Sequence, residues 1–220
     1  MKRIHLGVLI SGSGSNLQAI IDNIESGNLN ASIRVVISNV PGVLALERAR
    51  NHNIPAVVIN PENFSTREDF DMEVATLLKN YSTDLVIMAG FMRILTPGFL
   101  RAFPGMIMNI HPSLLPSFQG LHVQQKAIDY GVRFSGCTVH FANEGVDTGP
   151  IIIQAVVPVY DDDTEATLKQ RILKEEHRIY SQAIQLYAEG RLKIKGRKVH
   201  IKNSRATETP SMQNPPLGKS

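Results

Sequence analysis

The chain has 220 residues, of which 43% are hydrophobic and 20% charged, and this composition is typical of a globular domain. No apolar run approaches the ~18 residues that a membrane helix requires, so we expect no membrane partner, and the single Cys137 excludes an internal disulfide and favours a cytoplasmic location. The net charge of +3 arises from residues 191–220, which hold 8 of the 23 Lys and Arg beside one acid, so the mildly acidic remainder does not predict nucleic-acid binding.

The first predicted element is an apolar strand over residues 4–10, which leads into the glycine-rich loop 11–16. The loop opens a helix, because apolar residues then recur at helical spacing. Backbone N–H groups at such a junction bind anions, so the loop predicts a phosphate site. The loop matches neither the Walker pattern nor the complete dinucleotide fingerprint, whose third glycine would replace Leu17, and a simple tight turn is the alternative.

Strands and helices continue to alternate through the first half of the chain. The predicted elements are a strand at 33–37, a helix at 44–51, a strand at 56–59, a helix at 66–81 and a strand at 85–89. This order predicts an α/β fold with a Rossmann-like open twisted sheet, mostly parallel in its N-terminal half, with helices on both faces. Such sheets bind ligands at the carboxyl ends of their strands, which makes the segment 90–95 a candidate ligand contact.

The segment 106–116 places two polar side chains at the end of the next strand. Asn109 and His111 are two residues apart, so they point to the same side of a strand, and Pro112 then ends regular pairing. An amide can stabilise an oxyanion and an imidazole can carry a proton, which outlines a catalytic pair. The alternative is a half-buried strand whose His is satisfied by a neighbouring carbonyl.

The second half continues the pattern and then ends in a polar tail. We predict a helix at 123–130, a strand at 136–141, a loop at 143–150, a strand at 151–156, a helix at 165–189 and a hairpin at 191–202. Residues 1–202 should form one domain, with a phosphate-binding half at about 1–100 and a catalytic half at about 101–202, followed by a disordered tail at 203–220. The seven His are too scattered to predict a metal site.

Five sequence blocks resemble the folate-dependent phosphoribosylglycinamide formyltransferases of purine biosynthesis. They are ISGSGSNLQ (10–18), AGFMRIL (89–95), NIHPSLLP (109–116), GCTVH (136–140) and DTGPI (147–151). Methionyl-tRNA formyltransferase and formyltetrahydrofolate hydrolase share the Asn-x-His and Asp residues, but the phosphate loop and the chain length favour the first family. One departure is Gln124, where many relatives have a second His after Gly-Leu-His.

The resemblance implies transfer of a formyl group from the co-substrate 10-formyltetrahydrofolate to the amine of glycinamide ribonucleotide. It implies that Asn109 donates to the oxyanion, that His111 transfers protons and that the Asp147 carboxylate favours the charged imidazole. The implied binding residues are Gly14, Ser15 and Asn16 for the phosphate, Glu176 for the ribose hydroxyls, Met92, Arg93, Ile94 and Leu95 with Asn109 for the folate, and Arg67 for its acidic tail. The implied partners are small molecules, and the protein would be a monomer or homodimer.

Several alternatives remain open from the sequence. Asp147 could be a turn residue, Arg67 an ordinary first-turn helix residue and Glu176 part of a solvated helix face. A formyltetrahydrofolate hydrolase could use the same Asn, His and Asp to transfer the formyl group to water. A non-catalytic nucleotide-binding module could use Asn109 and His111 only to hydrogen-bond a base.

Overall fold

A single nine-stranded sheet runs through the described part of the protein. The computed structural model describes residues 3–204 together with Met212 and Asn214, so the predicted tail falls almost entirely outside the described residues. The strands are β1 (Ile4–Ile10), β2 (Ala31–Ser38), β3 (Ala56–Val58), β4 (Leu85–Met88), β5 (Ile107–His111), β6 (Phe134–Phe141), β7 (Ile151–Pro158), β8 (Leu192–Lys195) and β9 (Lys198–Ile201). Their spatial order is β3-β2-β1-β4-β5-β6-β7-β9-β8.

Helices connect most of these strands and cover both faces of the sheet. They are α1 (Ser15–Glu25), α2 (Leu44–Asn51), α3 (Arg67–Asn80), α4 (Pro97–Ala102), α5 (Val123–Tyr130) and α6 (Glu165–Ala188). One short 3₁₀ helix (Pro61–Asn63) precedes α3. Strands β1 to β5 are all parallel, which confirms the predicted α/β fold with a parallel N-terminal half. In the described residues, no helix combines the length and the apolar character needed to cross a membrane.

The direction of the chain reverses after β5. Strand β6 pairs antiparallel with β5 and with β7, so that Asn109 lies directly opposite His140. The C-terminal hairpin of β8 and β9 continues the sheet, with β9 parallel to β7 through the pair of Ile151 and Lys198. The hairpin was predicted, but β6 begins earlier than predicted, at Phe134, and β7 runs on to Pro158.

Two hydrophobic clusters fill the space between the sheet and its helices. One joins α1, α2, α5 and α6 to one face, and the other joins α3 and α4 to the opposite face. Two of the helices begin at threonine caps: Thr66 accepts a hydrogen bond from the Asp69 N–H before α3, and Thr164 forms a capping box with Thr167 before α6. The buried Tyr180 hydroxyl on α6 donates to the Met108 carbonyl at 2.8 Å and thereby anchors α6 beneath β5.

Candidate functional site

One cavity of about 630 Å³ opens where β1, β4 and β5 end, at the carboxyl edge of the parallel strands. Eleven of the twelve predicted site residues line it together: Gly14, Ser15, Asn16, Met92, Arg93, Ile94, Leu95, Asn109, His111, Asp147 and Glu176. Glu176 reaches the same cavity from α6, and buried Gln124 lines it from α5. Arg67 lies outside the lining. The chain thus brings together residues from both halves of its sequence.

The glycine-rich loop forms a tight junction between β1 and α1. Gly14 has a φ of 71°, and a Cβ atom there would lie 2.5 Å from the Ala45 Cβ, so both the backbone angle and the packing of α2 require glycine. From α2, the Arg48 Nε donates to the Ser13 carbonyl at 3.0 Å, and its Nη1 donates to the Gln18 side chain. The Ser13 carbonyl is thereby engaged by Arg48, and the first residues of α1, whose N–H groups have no partner within the helix, line the cavity.

The segment from Met92 to Leu95 is held in place by polar contacts on both sides. Its start is fixed by the Ser11 hydroxyl, which accepts from the Met92 N–H at 2.8 Å. Near its end, the Arg67 guanidinium donates to the Ile94 carbonyl at 2.6 Å, and the Arg93 guanidinium stacks over the Phe70 ring at 4.6 Å. Met92 is 69% exposed and Ile94 56% exposed, so the segment presents apolar side chains beside the cavity.

His111 is buried and both of its ring nitrogens face oxygen acceptors. Its Nε2 lies 2.9 Å from the Phe118 carbonyl, and its Nδ1 lies 3.3 Å from the Asp147 carboxylate. The doubly protonated imidazolium is the form that can satisfy both acceptors at once. Both partners that the sequence analysis considered for this His are therefore present: a neighbouring carbonyl group, that of Phe118, and the carboxylate of Asp147.

Asn109 has its amide oriented by His140 on the neighbouring strand. Burial lowers the pKa of His140, which favours the neutral ring. Its Nδ1 lies 3.0 Å from the Phe141 carbonyl and must donate there, so Nε2 accepts from the Asn109 Nδ2 at 3.2 Å. This contact uses one of the two N–H groups of the Asn109 amide, and Asn109 lines the cavity.

Asp147 connects the loop after Pro112 to strand β5. It has a φ of 52°, and its carboxylate accepts from the Gly120 N–H at 3.0 Å while facing His111. Gly149 closes the turn behind it, because a Cβ atom there would lie 1.6 Å from the Phe141 carbonyl. One carboxylate thus fixes a side chain of β5 and the tip of a loop at the same time.

The pair of Asn16 and Glu176 forms a buried polar wall of the cavity. The Asn16 Nδ2 donates to a Glu176 carboxyl oxygen at 2.8 Å, and burial raises the pKa of Glu176. The Asn16 Oδ1 is buried and has no hydrogen-bond partner within the described residues. A buried acceptor without a partner is unfavourable, so this atom is suited to a hydrogen-bond donor from a ligand.

Sequence reasoning did not assign roles to His140 or to the Phe118 carbonyl. His140 occurs in one of the five quoted blocks, and its alternation with apolar neighbours predicted a strand, but the contact with Asn109 depends on the antiparallel register. The Phe118 contact involves a backbone group, which every residue has. Across residues 3–204, Met212 and Asn214, no three His, Cys, Asp or Glu side chains are grouped to hold a metal ion.

Comparison with known proteins places this arrangement in a family. Residues 4–184 match the family model described as "Formyl transferase". The chain is 45% identical over 195 residues to phosphoribosylglycinamide formyltransferase of Haemophilus influenzae, and the match covers 89% of this chain and 91% of that protein.

Two further matches extend the comparison. The trifunctional purine biosynthetic protein adenosine-3 of Drosophila melanogaster is 49% identical over 191 residues, covering 86% of this chain but 14% of that protein, so the chain spans a small part of this larger relative. A crystal structure of glycinamide ribonucleotide transformylase 1 from Symbiobacterium toebii superimposes with a TM-score of 0.90 at 52% identity, covering 91% of this chain and 94% of that one.

Proposed function

Because this chain belongs to the formyl transferase family, we propose that it transfers the formyl group of 10-formyltetrahydrofolate to the amine of glycinamide ribonucleotide. The products would be formylglycinamide ribonucleotide and tetrahydrofolate, as a step of purine biosynthesis. The observation that carries the proposal is the single cavity in which an anion-binding loop faces Asn109, His111 and Asp147. A hydrolase of formyl-folate would have no use for such a loop.

The nucleotide fits the side of the cavity formed by α1 and α6. The N–H groups at the start of α1 suit the phosphate, since a helix N-terminus attracts anions. The partnerless Asn16 Oδ1 and the adjacent Glu176 carboxyl suit the ribose hydroxyls, which can donate and accept hydrogen bonds. These contacts would place the amine of the ligand toward Asn109 and His111.

The folate fits the side of the cavity lined by Met92 to Leu95. Exposed apolar side chains and backbone polar groups beside each other suit a flat heteroaromatic ring that is apolar on its faces and polar at its edges. Arg93 lines the cavity there, while Arg67 holds the Ile94 carbonyl. We therefore propose that Arg67 shapes the folate site and, at its exposed end, meets the acidic tail.

The protein groups act on charge and protons during the transfer. When the amine nitrogen bonds to the formyl carbon, negative charge develops on the formyl oxygen, and the free Asn109 N–H and the positive His111 ring stabilise it. The attacking amine loses one proton and the folate nitrogen gains one as its bond to the formyl carbon breaks. His111 can relay this proton only when a reacting group replaces the Phe118 carbonyl as the partner of its Nε2.

We further propose that residues 1–202 act as one cytoplasmic domain, as a monomer or homodimer, on small molecules and without a nucleic-acid or membrane partner. The continuous sheet that joins both halves of the chain supports the single domain. The two open cavity walls, one polar and one largely apolar, support two small-molecule substrates rather than a polymer.

Turnover of 10-formyltetrahydrofolate with and without glycinamide ribonucleotide tests the proposal. We expect tetrahydrofolate to appear only with the amine and in equal amount to formylated amine. Asn109→Ala should lower kcat by about 100- to 1000-fold, the usual effect of losing an oxyanion donor. Asn63→Ala, an exposed control, should not. Formate release without the amine would instead establish a hydrolase, and no turnover with either mixture would favour a binding module.

A further inference from the structure

Lys169 places a positive charge at the edge of the cavity. It lies on α6, and Lys169, Leu173 and Glu176 all line the cavity because residues at i, i+4 and i+7 share one face of a helix. Lys169 is exposed, and no hydrogen bond or ion pair joins its ammonium group to another of residues 3–204. A lysine with this placement is available to a ligand.

The carboxyl group on the same helix face does not neutralise this lysine. Burial raises the pKa of Glu176 and disfavours its charged form, while the positive charge of Lys169 acts in the opposite, weaker direction. The two groups are therefore within electrostatic reach of each other. The Glu176 carboxyl accepts from the Asn16 Nδ2, and no ion pair joins it to Lys169 among residues 3–204, so the charge of Lys169 remains available at this side of the cavity.

The proposed phosphate site needs a further cation. A phosphate monoester carries between one and two negative charges near neutral pH, whereas a helix N-terminus supplies roughly half a positive charge. Arg48 is already bonded to the Ser13 carbonyl and to Gln18 on the far side of the loop. Arg93, which does line the cavity, is stacked on the Phe70 ring.

We infer that the Lys169 ammonium group binds the phosphate of the nucleotide across the cavity from the glycine-rich loop. This inference rests on the proposed function, and it names the residue that distinguishes a phosphorylated amine from the same amine without phosphate. A lysine held at the end of a flexible stem from α6 can approach the phosphate after the ribose has bound beside Glu176. It acts in binding and takes no part in the bond changes.

The test compares glycinamide ribonucleotide with glycinamide riboside, which lacks the phosphate, as substrates of Lys169→Gln, Lys169→Arg and Lys174→Gln. Lys174 is an exposed lysine of α6 outside the cavity lining and serves as the matched control. We expect Lys169→Gln to lower kcat/KM for the ribonucleotide by about tenfold or more, the effect of one charge-assisted hydrogen bond. The loss should reside mainly in KM, and Lys169→Arg should restore most of it.

The riboside separates binding of the phosphate from general damage to the site. Its kcat/KM should be low in the wild type and nearly the same in Lys169→Gln, and the KM for the folate should hardly move. An equal loss for ribonucleotide and riboside, or a change below about twofold for the ribonucleotide, overturns the inference while leaving the proposed function intact. If the wild type transfers no formyl group to the ribonucleotide, the proposed function and this inference both fail.

Discussion

The imidazole of His111 is held between two acceptors of unequal strength, a neutral carbonyl and a carboxylate. The carbonyl of Phe118 fixes the position of the ring, and Asp147 alone supplies a compensating charge. A hydrogen bond with one charged partner is roughly twice as strong as one between neutral groups. The Asp147 carboxylate is therefore the stronger of the two acceptors, and the negative charge beside the ring depends on this single side chain.

Replacing Asp147 by Asn tests that dependence. An Asn side chain keeps an oxygen for the Gly120 N–H but removes the negative charge that faces the Nδ1 of His111. We expect kcat to fall on the order of 100-fold, within the range for losing acid–base assistance, while the melting temperature changes little. Asp129→Asn, an exposed control on α5, should retain full activity. A fully active Asp147→Asn enzyme would show that the charge is unnecessary.

The buried carboxyl group of Glu176 should make the stability of the protein depend on pH. Burial raises its pKa, so its favourable contribution to folding is complete below the unfolded value of about 4.3 and is lost as pH rises through the higher folded value. Glu176→Gln keeps an oxygen for Asn16 but cannot ionise. We expect the free energy of unfolding of this variant, relative to wild type, to increase from pH 4 upward.

Urea unfolding of the ligand-free protein at several pH values measures this difference. Glu175→Gln is the control, because Glu175 is the neighbouring residue and pairs at the surface with Arg178. The free energy of unfolding of Glu175→Gln should lie below that of the wild type or change with pH in parallel with it across the same range. Parallel curves for Glu176→Gln would mean that the carboxyl group ionises in the folded protein much as it does in the unfolded chain.

At the scale of secondary-structure elements, the junction of β1 with α1 depends on α2. Arg48 reaches from α2 to the carbonyl of Ser13 and to Gln18 of α1, so one guanidinium group fixes the loop relative to two helices. Because guanidinium groups donate along fixed directions, a lysine cannot reproduce both contacts. The shape of the anion site is therefore set partly by a helix that does not line the cavity.

Arg48→Ala should loosen this loop without unfolding the protein. We expect KM for the nucleotide to rise by about three- to tenfold, corresponding to the loss of about one hydrogen bond, with little change in KM for the folate. Arg50→Ala changes an exposed arginine on the same helix and should leave both constants unchanged. If both KM values rose together, the role of Arg48 would be general folding and not alignment of the loop.

The elements that depend on local pattern were predictable from the sequence. Helices α2 and α5 have the predicted bounds, and the glycine-rich loop, the strand ending at His111 and the Asp147 turn do share one cavity. The direction of β6 was not predictable, because an alternating strand has the same pattern whether it pairs parallel or antiparallel. The contact between Asn109 and His140 and the acceptor at Phe118 follow from that direction and from loop packing, neither of which sequence spacing encodes.

At the scale of the whole molecule, α6 joins the cavity to the sheet. Its first turns are tied to the end of β7, because Arg171 donates to both carboxyl oxygens of Asp163 and to the Pro158 carbonyl. The Arg171 guanidinium holds the pKa of Asp163 well below its usual range. The middle of the helix carries Glu176, and its later part carries Tyr180. Loosening its start should therefore affect the stability of the entire domain.

Asp163→Asn tests this attachment. A depressed Asp pKa contributes stability above the unfolded value of about 3.9, and that stability is lost as pH falls through the lower folded value. We expect the variant to lose about 2 kcal/mol of unfolding free energy at pH 7 and progressively less below pH 4. Urea unfolding at pH 7 and pH 3 provides the comparison. Asp161→Asn, whose side chain is 87% exposed, is the control, and its free energy of unfolding should stay within about 0.5 kcal/mol of the wild-type value. An equal loss of stability at pH 7 and pH 3 for Asp163→Asn would contradict the ionic explanation.

The antiparallel pairing of Asn109 with His140 also constrains how the length of this protein can change over evolution. Side chains alternate between the faces of a strand, so inserting or deleting one residue within β5 or β6 would turn one partner away from the other. The one-residue shift between β6 and β7 beside His140 already accommodates an extra residue, Ile152. Insertions and deletions in descendants of this chain should accordingly accumulate in outer turns such as residues 26–30. Between Asn109 and His140, they should occur only in the loops that lie outside β5 and β6.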